Sequence, residues 1–279
     1  MGDDWGDMEL IETHAHLDYP DFDADREELI AQATAAGVTQ IVSIGTKASS
    51  SRAAVELAAR YPQVHAAVGW HPTDCEDAPE DVVAVLEPLA RQPKVAAIGE
   101  TGLDYHHLPS ESLGPEAAQE ERDALDLPYK KKQESIFRQQ LDLAVRLGLN
   151  VVVHQRDAFE DCLRIMTEYR GKLRGVWHCF VNGPDQARRI FEIGSLISFT
   201  GIVTFKNARE LHETVKALPL EMMMVETDCP YLAPVPFRGK RCVPAHTRLV
   251  AEQIASLKGV TLDEVARATT ANARDFFRF

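Results

Sequence analysis

An α/β fold, a single (β/α)8 TIM barrel, is what this sequence of 279 residues predicts, and three observations indicate it. Eight apolar runs are rich in β-branched residues and too short to be independent helices. Stretches with helical spacing separate these runs, as in a parallel sheet. No Gly-rich GxGxxG turn follows the first run, which disfavours an open doubly wound sheet that binds a dinucleotide. We therefore expect one barrel domain, 1–279, without a linker.

The first half of the chain supplies four strands. The first apolar run leads directly into Thr13-His14-Ala15-His16, and the first helix stops at Gly37, a common C-terminal cap. Pro79 begins the third helix, and the fourth strand ends before Gly99-Glu100. The strands predicted here are residues 8–11, 38–44, 64–69 and 95–98, and the helices are residues 25–36, 49–60 and 79–89.

The second half repeats the alternation after an interruption. Residues 105–128 are polar and acidic with scattered prolines, which is typical of a surface excursion. The last helix begins with the capping box Thr261-Leu262-Asp263-Glu264. The strands predicted here are residues 150–153, 175–177, 196–199 and 222–225, and the helices are residues 130–147, 158–169, 184–194 and 207–218, with two more in the tail 244–279.

Composition limits the classes of function. The chain carries 30 basic and 43 acidic residues, a net charge of −13, so its surface as a whole should repel nucleic acid. A polyanionic substrate would need a local basic pocket or bound metal cations. Five cysteines without a CxxC spacing argue against a zinc knot or a disulfide framework. No apolar run could span a bilayer, and the acidic start, residues 1–7, is unlike a signal peptide, so we expect a cytoplasmic protein without a membrane partner.

Metal-binding residue types recur where predicted strands end. Because the carboxyl ends of all barrel strands open onto one face, these side chains should converge although they are far apart in sequence. Taken singly, each has an ordinary structural role as an alternative, and for Asp104 and Glu226 that role is the preferred interpretation. Four histidines and two carboxylates exceed what one tetrahedral ion can use, which predicts a site for two divalent cations with a shared carboxylate. The six predicted ligands are His14, His16, Glu100, His154, His178 and Asp228.

The sequence resembles the TatD-type metal-dependent deoxyribonucleases of the amidohydrolase superfamily. The motifs occur in family order along nearly the whole chain. They are Thr13-His14-Ala15-His16-Leu17-Asp18, Gly69-Trp70-His71-Pro72, Ile98-Gly99-Glu100-Thr101-Gly102-Leu103-Asp104, Val153-His154-Gln155-Arg156-Asp157-Ala158, Trp177-His178-Cys179-Phe180, Gly201-Ile202-Val203-Thr204-Phe205, Glu226-Thr227-Asp228-Cys229-Pro230-Tyr231-Leu232 and Arg238-Gly239-Lys240-Arg241.

The resemblance implies an exonuclease of the 3′-5′ type that removes nucleotides from single-stranded or frayed DNA ends with two Mg, Mn or Zn ions. It implies that Asp228 also orients or deprotonates the attacking water, and that His71 and Arg238 contact substrate phosphates. It assigns the ligands as follows: His14, His16 and Asp228 hold one ion, His154 and His178 hold the other, and Glu100 bridges them. A monomer is the expected state.

Three departures from the family pattern keep other substrates open. Glu12 replaces the usual aspartate before Thr13, Cys242-Val243-Pro244 replaces Asn-Glu-Pro, and the excursion 105–128 follows the Glu100 motif. The alternative enzyme would open a different ester or amide with the same site, for example an aminoacyl ester on tRNA or a lactone. A purely structural or regulatory metal site is the non-enzymatic alternative, but such a site usually closes with four ligands.

Overall fold

Eight parallel strands pair in the order of the sequence in the computed structural model, which describes residues 8–279. The acidic start, residues 1–7, lies outside the described residues. Hydrogen bonds close the barrel between its first and last strands: the Asp228 amide donates to the His14 carbonyl at 2.9 Å, and the His16 amide donates to the Cys229 carbonyl at 2.9 Å. The strands are β1 (Leu10–Ala15), β2 (Val38–Ile44), β3 (Val64–Val68), β4 (Val95–Asp104), β5 (Asn150–Arg156), β6 (Gly175–Trp177), β7 (Leu196–Phe199) and β8 (Met223–Val225).

Helices surround this barrel and confirm the predicted (β/α)8 fold. None of those in the described part of the chain is long and apolar enough to cross a membrane. The helices are α1 (Arg26–Ala35), α2 (Ala48–Arg60), α3 (Val82–Ala90), α4 (Gln119–Leu147), α5 (Phe159–Glu168), α6 (Pro184–Glu192), α7 (Arg209–Ala217), α8 (Thr247–Lys258) and α9 (Leu262–Phe277).

Two hydrophobic clusters hold the layers together. The larger lies between the strands and the surrounding helices, and it includes Phe22, Phe137 and Trp177. The smaller contains residues from all eight strands and is joined by Phe276 and Phe277 of α9. The tail helix is therefore part of the barrel's packing, and the opposite, carboxyl end of the strands is left for polar side chains.

Three strands extend beyond the ends that the sequence predicted, and the first of them, β1, contains His14 instead of ending before it. The prediction that Glu100 and His154 follow their strands is wrong, because β4 continues to Asp104 and β5 to Arg156. Glycine makes this pairing possible: a Cβ atom on Gly102, whose φ is +146°, would lie 2.0 Å from the His154 carbonyl oxygen. Both side chains remain at the carboxyl half of the barrel.

The polar excursion 105–128 is also more ordered than its composition suggested. Helix α4 begins at Gln119 rather than at residue 130, and Pro128 lies inside it. The Glu121 carboxylate accepts the Ala118 amide at 3.0 Å, which satisfies a donor at the start of the helix. Buried Asp126 accepts both the amide and the hydroxyl of Ser110, at 3.0 and 2.7 Å. These bonds fasten the excursion to the start of α4.

Candidate metal centre

Five strands deliver the six predicted ligands to one place. His14 lies in β1 and His16 directly follows it, while Glu100 and His154 lie in β4 and β5. His178 follows β6, and Asp228 lies three residues after β8 with a φ of +60°, an unusual conformation that aspartate tolerates better than most residues. The structure therefore brings all six side chains together, as the sequence predicted.

The Glu100 carboxylate stands at the centre of the cluster, with each oxygen facing a different group of histidines. Its Oε2 atom lies 3.3 Å from His14 Nε2 and 3.8 Å from His16 Nε2. Its Oε1 atom lies 2.7 Å from His178 Nε2 and 2.8 Å from His154 Nδ1. A carboxylate placed in this way can bind a cation with each oxygen.

Asp228 completes the first group of donors. Its Oδ1 atom lies 3.3 Å from His16 Nε2 and 3.7 Å from His14 Nε2. The donor atoms of His14, His16 and Asp228 lie within 4.8 Å of one another, as do those of His14, Glu100 and His178. Such spacing lets several donors reach one cation.

His71 joins the donors that face Glu100 Oε1, a role that the sequence did not predict for it. Its Nε2 atom lies 3.4 Å from Glu100 Oε1, and its ring is in edge contact with that of His154, with 4.3 Å between the centroids. His71, Glu100 and His154 form a third set of donor atoms within 4.8 Å. His71 can therefore face a cation as well as a substrate phosphate.

Two further carboxylates orient two of the histidines that are predicted to bind metal. Asp104 Oδ2 lies 3.1 Å from His154 Nε2, the nitrogen that faces away from Glu100. Glu226 Oε1 lies 3.5 Å from His178 Nδ1, and Glu226 is held by the Cys179 amide at 2.6 Å and the Ser198 hydroxyl at 2.6 Å. A carboxylate behind a metal-binding histidine fixes the ring's orientation and its tautomer.

Glu12 links the first strand of the barrel to the segment that follows the last strand. Its Oε1 atom accepts the His14 amide at 2.9 Å and the Thr227 amide at 3.0 Å. Its Oε2 atom accepts the Thr247 hydroxyl of α8 at 2.5 Å. Burial raises the pKa of Glu12 to about 8, although these hydrogen bonds oppose the shift. The glutamate that departs from the family pattern therefore supports the backbone of His14 and that of Thr227, the residue before Asp228.

Electrostatics in the cluster favour two ionised carboxylates. Burial alone would raise the pKa of Glu100, but His178, His71 and His14 hold it well below its usual range. Burial likewise opposes ionisation of Asp228, but the hydrogen bond from His16 together with the charges of His14, His16 and His178 outweighs it and lowers the pKa. Both groups are thus negatively charged at neutral pH, as metal ligands must be.

The donors fit divalent cations. Burial lowers the pKa of His14, which keeps the ring neutral, and its Nε2 atom is buried without a hydrogen-bond partner although it faces Glu100 and Asp228. A buried polar atom without a partner is costly, and a bound cation would supply one. Imidazole nitrogens with carboxylate oxygens suit Zn, Mn, Ni or Fe.

An open cavity of about 510 Å³ leads to the cluster. Arg156 and His107 line it, and so do Tyr19 and Tyr231, whose rings meet edge to face with 6.0 Å between the centroids. Arg238, predicted to contact a phosphate, does not line this cavity; its guanidinium lies 4.4 Å from the centre of the Phe205 ring. The cavity is large enough to admit part of a polymer next to the donors.

A second cavity, of about 620 Å³, opens at the other end of the barrel, and three of its four basic side chains have structural roles. Arg278 donates to the Gly148 carbonyl at 2.6 Å, Arg174 to the Gly194 carbonyl at 3.3 Å and Lys172 to the Glu168 carbonyl at 3.2 Å. Basic side chains commonly bind the free carbonyls at helix ends in this way. We therefore assign the functional site to the smaller cavity.

Sequence reasoning missed the residues that orient the ligands. Asp104 and Glu226 were assigned structural roles, Arg156 and Tyr19 were not considered as site residues, and His71 was predicted to contact substrate only. Their spacing contained a partial signal: Arg156 lies two residues after His154, and Asp104 lies four after Glu100. Side chains on one face of an extended strand recur at every second residue, so both belonged on the list of candidates.

Comparisons with known proteins agree with this geometry. The family described as TatD related DNase matches residues 11–278. An uncharacterized metal-dependent hydrolase of Bacillus subtilis, YabD, is 40% identical over 270 residues, which cover 96% of this chain and 99% of the relative. The uncharacterized metal-dependent hydrolase YcfH of Escherichia coli is 36% identical over 274 residues, covering 97% and 96% of the two chains.

Solved structures share the architecture. YJJV, a TatD homologue from Escherichia coli, superposes with a TM-score of 0.86 at 28% identity, over 97% of this chain and 98% of its own. A TatD family hydrolase from Entamoeba histolytica superposes with a TM-score of 0.82, over 97% and 98% of the two chains, at 22% identity, which compares the fold alone. The family resemblance expected from the sequence motifs is confirmed.

Proposed function

This chain belongs to the family of TatD-related DNases, and from that premise we propose that it hydrolyses the phosphodiester bonds of DNA with two divalent cations. We propose a 3′-5′ exonuclease that acts on single-stranded or frayed ends, as a monomer in the cytoplasm. One observation carries the proposal: the two oxygens of Glu100 face two different groups of nitrogen donors. A shared carboxylate of this kind is the usual device of a two-metal hydrolase.

The ligands divide between two positions in this proposal. His14, His16 and Asp228 would hold one cation, His154 and His178 the other, and Glu100 would bind both. When bound, the two cations, Mg, Mn or Zn, supply a water activated for attack and stabilise the charge that gathers on the phosphodiester oxygens.

Asp228 is the group that takes the proton from the attacking water. Its carboxylate lines the cavity, its side chain retains 16% of its exposure, and its lowered pKa keeps it ionised at neutral pH. A base must be within reach of the proton that it accepts, and Asp228 reaches both the donors and the open cavity. Asp104 and Glu226 keep His154 and His178 in the orientation that this arrangement needs.

Substrate contacts come from the walls of the cavity. His71 reaches a phosphate near Glu100, and Arg156 is the guanidinium that lines the cavity. Arg238 lies outside the cavity, next to Phe205, and therefore binds a phosphate farther along the DNA strand. Bound divalent cations and these basic groups make the pocket attractive to a polyanion although the chain carries a net charge of −13.

Labelled oligonucleotides test this function directly. The purified protein with Mn²⁺ or Mg²⁺ should release mononucleotides from the 3′ end of single-stranded DNA, and both chelator and Asp228→Asn should abolish the release. The matched control is Asp157→Asn, an exposed carboxylate bonded to His106 that lies outside the cavity, and it should cleave like the wild type. Cleavage that persists in chelator or in Asp228→Asn would refute the proposed mechanism.

A second candidate function is hydrolysis of a carboxylic ester, such as the aminoacyl ester on tRNA or a lactone. The observation that favours it is the charge of the cavity, where one guanidinium faces four carboxylates among the described residues. Such a lining attracts a phosphate chain weakly before cations bind. Turnover of DNA, aminoacylated tRNA and simple lactones by one metal-loaded preparation distinguishes the two functions. A clear preference for the aminoacyl ester or the lactone over DNA would replace the nuclease proposal.

A further inference from the structure

We propose that a surface beside the catalytic cavity binds the part of a single-stranded nucleic acid that extends beyond the cavity. The inference rests on the proposed function and adds to it a second contact region. We name this surface the rim surface, and it consists of Phe205, Lys206, Arg209, Phe237, Arg238 and Lys240.

The rim surface lies on the same end of the barrel as the donors. Its first three residues follow β7 and its last three follow β8, and the carboxyl ends of the strands share one face. The two segments touch: the Val235 amide donates to the Thr204 hydroxyl at 2.9 Å, and the Arg238 guanidinium lies 4.4 Å from the centre of the Phe205 ring. They therefore form one continuous surface.

The rim surface carries four basic side chains. Lys206, Arg209, Arg238 and Lys240 form no ion pair with any residue from 8 to 279, whereas the neighbouring Arg241 pairs with Asp25. Glu210 lines a small cavity together with Arg209 and Phe205. Four cations on one surface contrast with the net charge of −13 on the whole chain.

Aromatic rings alternate with these cations. Phe237 is 36% exposed, and Phe205 is half-buried in the wall of a cavity of about 270 Å³. Each ring lies next to a cation: Arg238 is over Phe205, and the Lys240 ammonium is 6.0 Å from the centre of the Phe237 ring. Rings that stack on bases, interleaved with cations that bind phosphates, are how proteins hold single strands without reading their sequence.

The rim surface continues into the catalytic cavity. Tyr231 lines that cavity, is 52% exposed, and precedes Phe237 by six residues in the same loop. Six residues span at most about 20 Å, so a strand that enters the cavity at Tyr231 reaches the rim surface within a few nucleotides. In a base-paired duplex the faces of the bases are stacked on one another and cannot stack on phenylalanine, which favours a single strand as the ligand of the rim surface. An acidic peptide has the negative charge but no bases to stack, so it fits this surface less well.

The experiment compares a long and a short substrate. The ratio of kcat/KM for a 12-nucleotide single strand to kcat/KM for a dinucleotide is measured with Mn²⁺-loaded protein. Phe205→Leu keeps an apolar side chain but loses the ring, and it should lower this ratio at least about fivefold, the loss of one stacked base. Arg209→Ala should lower it as well. Arg170→Ala, an exposed cation at the opposite end of the barrel, is the matched control and should leave the ratio unchanged.

Binding provides an independent arm. Fluorescence anisotropy with a cleavage-resistant phosphorothioate 12-mer should show weaker binding by Phe205→Leu and by Arg209→Ala than by the wild type and Arg170→Ala. An unchanged ratio together with unchanged binding in both rim variants would overturn the proposal, and so would polyglutamate that binds as tightly as the oligonucleotide. If no nucleic acid of either length is cleaved, the proposed function fails, and the binding arm alone then decides whether the rim surface holds a single strand.

Discussion

Asp104→Asn tests whether the carboxylate behind His154 is part of the metal centre. Asp104 Oδ2 lies 3.1 Å from His154 Nε2, while its Oδ1 atom accepts the amides of His106 and His107, both at 2.9 Å. An asparagine can still accept the two amides with its one oxygen, but its NH2 group then faces His154 in place of an anion. Loss of such a partner typically lowers metal affinity about 10- to 100-fold, or about 1.4 to 2.8 kcal/mol.

Isothermal titration of the metal-free protein with Mn²⁺ measures this change. The affinity of the site that includes His154 should fall by that factor, and the site formed by His14, His16 and Asp228 should change less. Asp157→Asn is the matched control, because its carboxylate also bonds a histidine, His106 Nδ1 at 2.8 Å, outside the ligand set. Equal affinities for Asp104→Asn and wild type, with both proteins folded by circular dichroism, would refute the reasoning.

Two further predictions concern the scaffold beneath the ligands. Burial raises the pKa of Glu12 to about 8 from an ordinary 4.5, so this group stabilises the fold most below pH 4.5 and loses that contribution as pH rises through 8. In urea unfolding of the metal-free protein, the free energy of unfolding should therefore decline less between pH 5 and pH 8 for Glu12→Gln than for wild type. An identical decline would contradict this prediction. Gly102→Ala places a Cβ atom 2.0 Å from the His154 carbonyl oxygen, so it should lower the free energy of unfolding by at least about 1 to 3 kcal/mol and weaken Mn²⁺ binding. The control is Gly114→Ala, which has open space around the new Cβ atom and should cost less than about 1 kcal/mol. Equal stabilities of the two variants would refute the close-packing argument.

The fold and the convergence of six candidate ligands could be predicted because both follow from periodic patterns. Short β-branched runs and helical spacing identify a parallel barrel, and a barrel brings the ends of its strands to one face. His14, His178 and Asp228 needed no further information to be placed together. The predicted end of β4 was wrong because glycines that allow close pairing also resemble strand ends in a sequence, and β5 is longer because residues 154–156 pair with residues 102–104 of β4.

The residues that orient the ligands could not be assigned by the same logic. Asp104 and Glu226 are buried carboxylates, and a sequence does not show whether such a group faces a histidine or a backbone amide. Arg238 was expected to contact a substrate phosphate, and the sequence did not show that the loop after β8 carries it outside the metal cavity, to Phe205. Loop conformation depends on packing between segments that are distant in sequence, such as Val235 against Thr204.

Anomalous diffraction from a crystal soaked in Mn²⁺ tests the central claim most directly. The claim is that Glu100 binds two cations, one beside His14, His16 and Asp228 and one beside His154 and His178. Two anomalous peaks roughly 3.5 to 4 Å apart, on either side of the Glu100 carboxylate, are the predicted result. A single peak, or peaks that do not contact Glu100, would contradict the account.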